Sequence, residues 1–207
     1  MDETNRTEAQ LRTYAGEMST QVEYFYDYVS IYSYLANSQL HDLDGAAVVY
    51  RPMFLGAVME ATGNRPPGSV EAKRNWLLTD VERWAKRYGL PWTMNPVFPQ
   101  NTLKALRLAL VAREHGAFEA VHAALFAAIW EQQKDLSSED VLAEIAGAAA
   151  IALEETENQS IKDALKANTN EAIERGAFGA PTFFVGEQMF FGNDRWEFLR
   201  DAISNRG

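Results

Sequence analysis

QVEYFYDYVSIYSYLANSQLHDLDGAAVVYRPMF, residues 21–54, changes its periodicity twice, and those changes decide the fold. Aromatic and β-branched residues crowd residues 21–29 in the manner of a buried strand. Tyr32, Tyr34 and Leu35 then fall at helical spacing within a predicted helix over 31–43, and AAVVYRPMF, residues 46–54, reads as a second strand. Strand, helix and strand in that order make a βαβ unit. Ser30 stands at the junction of the first strand and the helix. Either its hydroxyl caps the helix, or its oxygen works on something docked at the helix's positive end.

Past that unit, TGNRPPGS (residues 62–69) has the Gly, Pro and Asn content of an irregular surface loop. VEAKRNWLLTDVERWAKRYGL (residues 70–90) places Trp76, Leu77, Val81, Trp84 and Tyr88 close to a 3.6-residue period, which predicts a helix. Ala- and Leu-rich periodicity predicts further helices over 102–115, 117–134, 139–150 and 158–175, with a helix-start spacing at Ser137 to Asp140. GAFGAPTFFVGEQMFFG (residues 176–192) reads as strand, tight turn and strand, and NDRWEFLRDAI (residues 193–203) as a closing helix. The order is therefore βαβ, a block of helices, then ββα. The two outer units can share one sheet with the helices inserted between them, which is an α/β, thioredoxin-like plan with a large all-helical insertion. The expected divisions are a polar N-terminal arm over 1–20, a thioredoxin-like domain over 21–54 and 176–207, and a helical insertion domain over 55–175. Ligands of such layers bind beyond the carboxyl ends of the strands, and Ser30 lies at that edge.

Composition narrows the function. A formal charge of -10 and a pI near 4.8 speak against a nucleic-acid surface, which needs clustered Lys and Arg. There is no run of about 18 apolar residues that could span a bilayer. Residues 1–20, MDETNRTEAQLRTYAGEMST, lack the apolar core of a secretory signal and read as a polar, partly helical arm. Cysteine is absent, which removes disulfides, thiolate metal sites and a cysteine nucleophile from this chain, and a cytosolic setting fits best. His41, His115 and His122 show no HxxxH-type spacing and read as helix-surface or partly buried residues; no metal site is expected.

Two short stretches near the C-terminus carry further signals. In GAFGAPTFFVG (residues 176–186) Pro181 opens a strand, where its missing N–H does no harm. The Ala180–Pro181 bond is either an ordinary trans strand start or a cis bond that leaves the Ala180 backbone facing the start of the first helix. In GNDR (residues 192–195) Asn193 or Asp194 can cap the final helix. Alternatively Asp194 and Arg195 together suit a ligand that carries both an ammonium and a carboxylate.

Five islands carry a family likeness: FYDYVSIYSYLA (residues 25–36), RPMFLGAVMEATGNRPP (51–67), DVERWAKRYGLPW (80–92), NTLKALR (101–107) and FGAPTFFVGEQMFFGNDR (178–195). Over residues 22–206 the chain resembles the 2-hydroxychromene-2-carboxylate isomerase family, a relative of the kappa-class glutathione transferases among the DsbA-like thioredoxin folds. The resemblance implies glutathione as cofactor and a small aromatic carboxylate as substrate, in aromatic hydrocarbon catabolism. Ser30 matches the serine that hydrogen-bonds the glutathione sulfur, and SIYS (residues 30–33) lies where redox relatives carry a CxxC pair. By the same comparison Ala180 and Pro181 offer backbone to the cysteinyl part, while Asn193, Asp194 and Arg195 hold the γ-glutamyl end. Asn64, Lys73 and Phe98 fall where the family lines its substrate cleft; read locally, they are a turn residue, a solvated charge and a core residue. Ile31 departs from the family, which has proline there. The family tends to form homodimers. The implied activity is a glutathione-dependent isomerisation of 2-hydroxychromene-2-carboxylate-type substrates. Its rivals are a kappa-like transferase that conjugates glutathione to electrophiles, and a non-catalytic binding protein. Lys73, Arg51 or Arg65 would offset the substrate carboxylate.

Overall fold

Alternation along the first strand sends Val22, Tyr24 and Tyr26 to one side of a sheet and Glu23 and Phe25 to the other, and both sides are covered. The computed structural model of the chain describes residues 19–205. The expected polar arm therefore lies, apart from its last two residues, outside the described residues. Strand β1 (Thr20–Tyr26) pairs parallel with β2 (Ala46–Pro52) and antiparallel with β3 (Thr182–Val185), which pairs antiparallel with β4 (Gln188–Phe191). The order β2-β1-β3-β4 joins the two ends of the chain in one sheet, as the βαβ and ββα units predict.

The parallel β1–β2 pair needs a crossover, and α1 (Ile31–Asn37) with a short 3-10 turn supplies it. Helix α2 (Leu55–Thr62) follows β2 at once and ends where Gly63 takes the left-handed conformation, φ 70°. Sequence periodicity misses this helix: at eight residues it spans barely two turns, and its apolar start runs on from the strand. Helices α3 (Glu71–Tyr88), α4 (Leu103–Glu114), α5 (Phe118–Trp130), α6 (Glu139–Ala148) and α7 (Gln159–Glu174) match the predicted segments with shorter ends, and α8 (Trp196–Ser204) starts three residues later and ends one residue later than predicted. The cap of α6 is Ser138, not Ser137, and its side chain makes no capping bond.

The core has two parts, one on each face of the sheet. Tyr24, Tyr26, Phe183 and Val185 join a large cluster with Leu106, Leu108, Phe126, Trp130 and Leu199. Tyr24 stacks between Tyr26 and Phe183, with ring centroids 5.1 and 5.2 Å apart. On the other face Phe25 and Phe184 pack with Met53, Leu55, Val58 and Ala172. Glu23 would be a costly charge in a central strand. It pairs with Arg175 at 2.6 Å and Arg51 at 3.7 Å, and both arginines also bind Glu171. This four-residue cluster ties α7 to the sheet and occupies Arg51, whose guanidinium lies 5.2 Å from the Phe25 ring centroid. Arg51 is thereby committed to structure and is corrected from the expectation that it could meet a substrate carboxylate.

Candidate active site

Strand β1 ends at Tyr26, three residues earlier than its composition suggests, because Asp27 turns the chain. The Ser30 N–H donates to the Asp27 carbonyl at 3.0 Å, and the Val29 N–H donates to Asp27 Oδ1 at 3.1 Å. Asp27 Oδ1 also accepts from the Thr102 hydroxyl, and Oδ2 accepts from the Leu55 N–H at 2.9 Å. A fully buried carboxylate thus closes the turn that delivers Ser30 and fastens it to the starts of α2 and α4. Burial pushes the Asp27 carboxyl up to about 6, and its hydrogen-bond donors oppose that shift.

Ser30 is the N-cap of α1, in an extended conformation, and its Oγ accepts from the Ser33 N–H at 3.2 Å. The same oxygen donates to the Ala180 carbonyl at 2.9 Å, across 150 residues of sequence. Capping and contact with the distant loop therefore coexist in one hydroxyl. Ala180–Pro181 is a cis bond, so the second of the two sequence readings holds. The Ala180 N–H finds no hydrogen-bond acceptor among the described residues. An unpaired backbone donor beside Ser30 suits a ligand carbonyl.

Asn193 is 3% exposed, and its Oδ1 is buried without a hydrogen-bond partner among the described residues. An orphaned acceptor of this kind costs about 1–3 kcal/mol and is answered by a ligand N–H or ammonium. Tyr88 steadies the loop: its hydroxyl meets the Asn193 carbonyl at 3.3 Å and accepts from Trp196 Nε1 at 3.2 Å. Asp194 and Arg195 are exposed and lie 3.5 Å apart as an ion pair. The N-cap of α8 is Arg195, without a side-chain cap bond, so neither Asn193 nor Asp194 caps that helix.

The three residues expected to line the substrate cleft are placed differently from one another. Asn64 Nδ2 donates to the Phe178 carbonyl at 2.7 Å, which joins the α2–α3 loop to the proline loop. Phe98 is 44% exposed rather than core, and packs on Trp130 at 5.8 Å, whose Nε1 donates to the Tyr28 carbonyl at 2.9 Å. Both are thus coupled to the segments around Ser30. Lys73 is exposed on the first turn of α3 and has no ion-pair partner among the described residues. Tyr32, two residues past Ser30, bonds Asp80 of α3 at 2.8 Å.

A DsbA-like thioredoxin domain model matches residues 21–204. The chain belongs to that family. It is 34% identical to a 2-hydroxychromene-2-carboxylate isomerase of Sphingobium xenophagum over 90% of this chain and 99% of that one. It is also 28% identical to glutathione S-transferase kappa 1 of Caenorhabditis elegans, over 88% of this chain and 90% of the other. A solved 2-hydroxychromene-2-carboxylate isomerase superposes with a TM-score of 0.80 at 26% identity, covering 89% of this chain and 95% of that one. Within the DsbA-like family, this chain stands among isomerases and kappa-class transferases.

Sequence reasoning passed over several site-forming residues. Asp27 had one available signal, a carboxylate set among the aromatics of YFYDYV. Thr102, Tyr88 and Asp80 had none, since each acts only through a partner distant in sequence. His122 is not partly buried but 3% exposed, held between the Tyr28 hydroxyl and Asn37 Oδ1, each at 2.9 Å. Burial holds it neutral, with its pKa down at about 3. It belongs to the core below the turn, with both ring nitrogens taken up by hydrogen bonds.

Proposed function

We propose that the protein is a glutathione-dependent isomerase acting on 2-hydroxychromene-2-carboxylate-type substrates, yielding the open-chain trans-o-hydroxybenzylidenepyruvate type. The observation that carries this reading is the set of ready partners beside the cis-proline loop: the Ser30 hydroxyl, the unpaired Ala180 N–H and the orphaned Asn193 Oδ1. They fit a short peptide with a thiol in its middle and an ammonium at one end. A chain without cysteine cannot run thiol–disulfide exchange with its own SIYS segment, so the sulfur must come from the ligand.

When bound, glutathione supplies a thiolate nucleophile that adds reversibly to a conjugated carbon, so that a double bond can rotate as a single one. The protein's part is to hold and orient. Ser33 N–H fixes the position of Ser30 Oγ, so the hydroxyl hydrogen alone needs to swing from the Ala180 carbonyl toward a sulfur. The Ala180 N–H would take the cysteinyl carbonyl, while Asn193, Asp194 and Arg195 would hold the γ-glutamyl ammonium and carboxylate. Phe98 and Asn64 would border the aromatic substrate, and exposed Lys73 or Arg65 would meet its carboxylate in a protein of net charge -10.

The kappa-class relatives favour a second reading, a transferase that releases the conjugate. One experiment tests both. Calorimetric titration with glutathione is expected to show one site per chain; no binding removes both readings and favours a non-catalytic binding role. Turnover of an enone acid is then followed with a thiol count: constant glutathione supports the isomerase, and stoichiometric loss supports the transferase.

A further inference from the structure

The Asp27 carboxylate is buried completely, has no cationic partner among the described residues, and yet receives hydrogen bonds from three chain segments. A buried charge without a counter-ion is expensive unless its donors do something useful. The donors are informative. Val29 N–H comes from the turn that ends at Ser30, Leu55 N–H from the first turn of α2, and the hydroxyl from Thr102, the N-cap of α4. Phe54, the N-cap of α2, makes no side-chain cap bond, so the carboxylate stands in for it at the Leu55 N–H. At α4 it holds the hydroxyl of the N-cap residue Thr102, the Leu103 N–H going to Asn101 Oδ1. The Asp27 backbone carbonyl meanwhile accepts the Ser30 N–H. We infer that Asp27 is the positioning residue of the site: its carboxylate clamps the Asp27–Ser30 turn to two helix starts and thereby aims the Ser30 hydroxyl.

The clamp depends on charge. An ionised carboxylate accepts all of these bonds at once, whereas a protonated one turns one oxygen into a donor that competes with the N–H groups facing it. The titratable groups that face it are Tyr26 and Tyr28 of its own segment, both pushed upward by burial and so uncharged. Among the described residues, its hydrogen bonds from α2 and α4 are those of the Leu55 N–H and the Thr102 hydroxyl. With Asp27 held at about 6, the turn is set above that pH and loosens below it.

The consequence for turnover rests on the glutathione reading above, but the test does not need the ligand. In the free protein, the backbone amide resonances of Val29, Ser30, Ser33 and Leu55 are followed by nuclear magnetic resonance as the pH is lowered through 6. All four are expected to move with one shared midpoint. Thr102→Val should raise that midpoint, because the hydroxyl that favours the charged form is gone, and Thr102→Ser should restore it. Asp27→Asn should abolish the step and speed solvent exchange of the Ser33 amide about tenfold or more. If Asp27→Asn does not fold, the Thr102 pair still decides. Still Ser30 and Ser33 amides beside a titrating Leu55 amide would reduce Asp27 to a helix cap and overturn the inference, as would a midpoint unmoved in Thr102→Val. In a parallel assay with glutathione, the pH midpoint of turnover in Thr102→Val should follow the spectroscopic one. Absence of glutathione binding would sink the functional reading and leave the spectroscopic test of Asp27 intact.

Discussion

Replacing Ser30 by alanine removes one oxygen with two partners, and fold and function lose different things. In the free protein the Ser33 N–H and the Ala180 carbonyl both lose their side-chain contact in a buried setting. Loss of an N-cap costs about 1 kcal/mol, and an unsatisfied buried acceptor adds about 1–3 kcal/mol. Ser30→Ala should therefore be destabilised by about 2–4 kcal/mol, or roughly 4–16 °C in Tm for a chain of this size. The functional loss is smaller than a bare hydroxyl would suggest. A hydrogen bond to a charged sulfur is worth about 1.5–3 kcal/mol, but forming it forfeits the neutral bond to Ala180, worth about 1 kcal/mol. The net is about 0.5–2 kcal/mol, or a drop of roughly 2- to 30-fold in kcat. The assay compares Ser30→Ala with Ser30→Thr, which keeps cap and hydroxyl, at a temperature well below both melting points. The bound thiol's ionisation midpoint is read by ultraviolet absorbance. A lowered Tm with unchanged kcat, glutathione affinity and thiol midpoint would mean that Ser30 only caps a helix, and the mechanistic role assigned to it would be refuted.

Asn193→Leu should raise the Tm of the free protein by removing a buried, unpartnered oxygen, and should abolish the further rise in Tm that glutathione causes in the wild type; failure of both effects would remove Asn193 from the binding site. Arg175→Met should destabilise by about 1–3 kcal/mol in urea unfolding, because Glu23 in the central strand keeps only the longer contact to Arg51; an unchanged midpoint would show the cluster to be energetically idle. His122 and Asp27 should oppose each other in acid. The unfolded chain protonates His122 below its ordinary 6.5 while the folded one resists down to about 3, so this residue withdraws stability as pH falls through that window. Asp27, at about 6 against an ordinary 3.8, takes its proton in the folded state first and adds stability as pH falls between those values. Their contributions should nearly cancel from about pH 6 to 4, and His122→Gln should make the Tm of the variant rise on acidification through that range; a Tm profile parallel to the wild type would contradict the assignment.

How far each feature was legible depends on the range of the interaction that makes it. Periodicity is a short-range signal, so β1, α1, β2 and the β3–β4 hairpin could be read directly, and α3 to α8 with them. Helix α2 escaped because eight residues hold too few repeats to distinguish them from the tail of a strand. Ser30, Ala180 and Asn193 could be named from motifs. Their chemical state could not, since a serine bonded to a carbonyl 150 residues away and an amide oxygen left without a partner are outcomes of packing. The same holds for the corrections. Arg51 is a cation in any reading of the sequence, and only the placement of Glu23 and Glu171 around it shows that its charge is spent. Asp27 is the sharpest case. By itself the sequence determined the order of elements, the missing cysteines and the residues around the Ser30 junction. The tertiary structure alone decided which buried groups face one another, because desolvation and hydrogen-bond satisfaction depend on neighbours that the chain brings together only on folding.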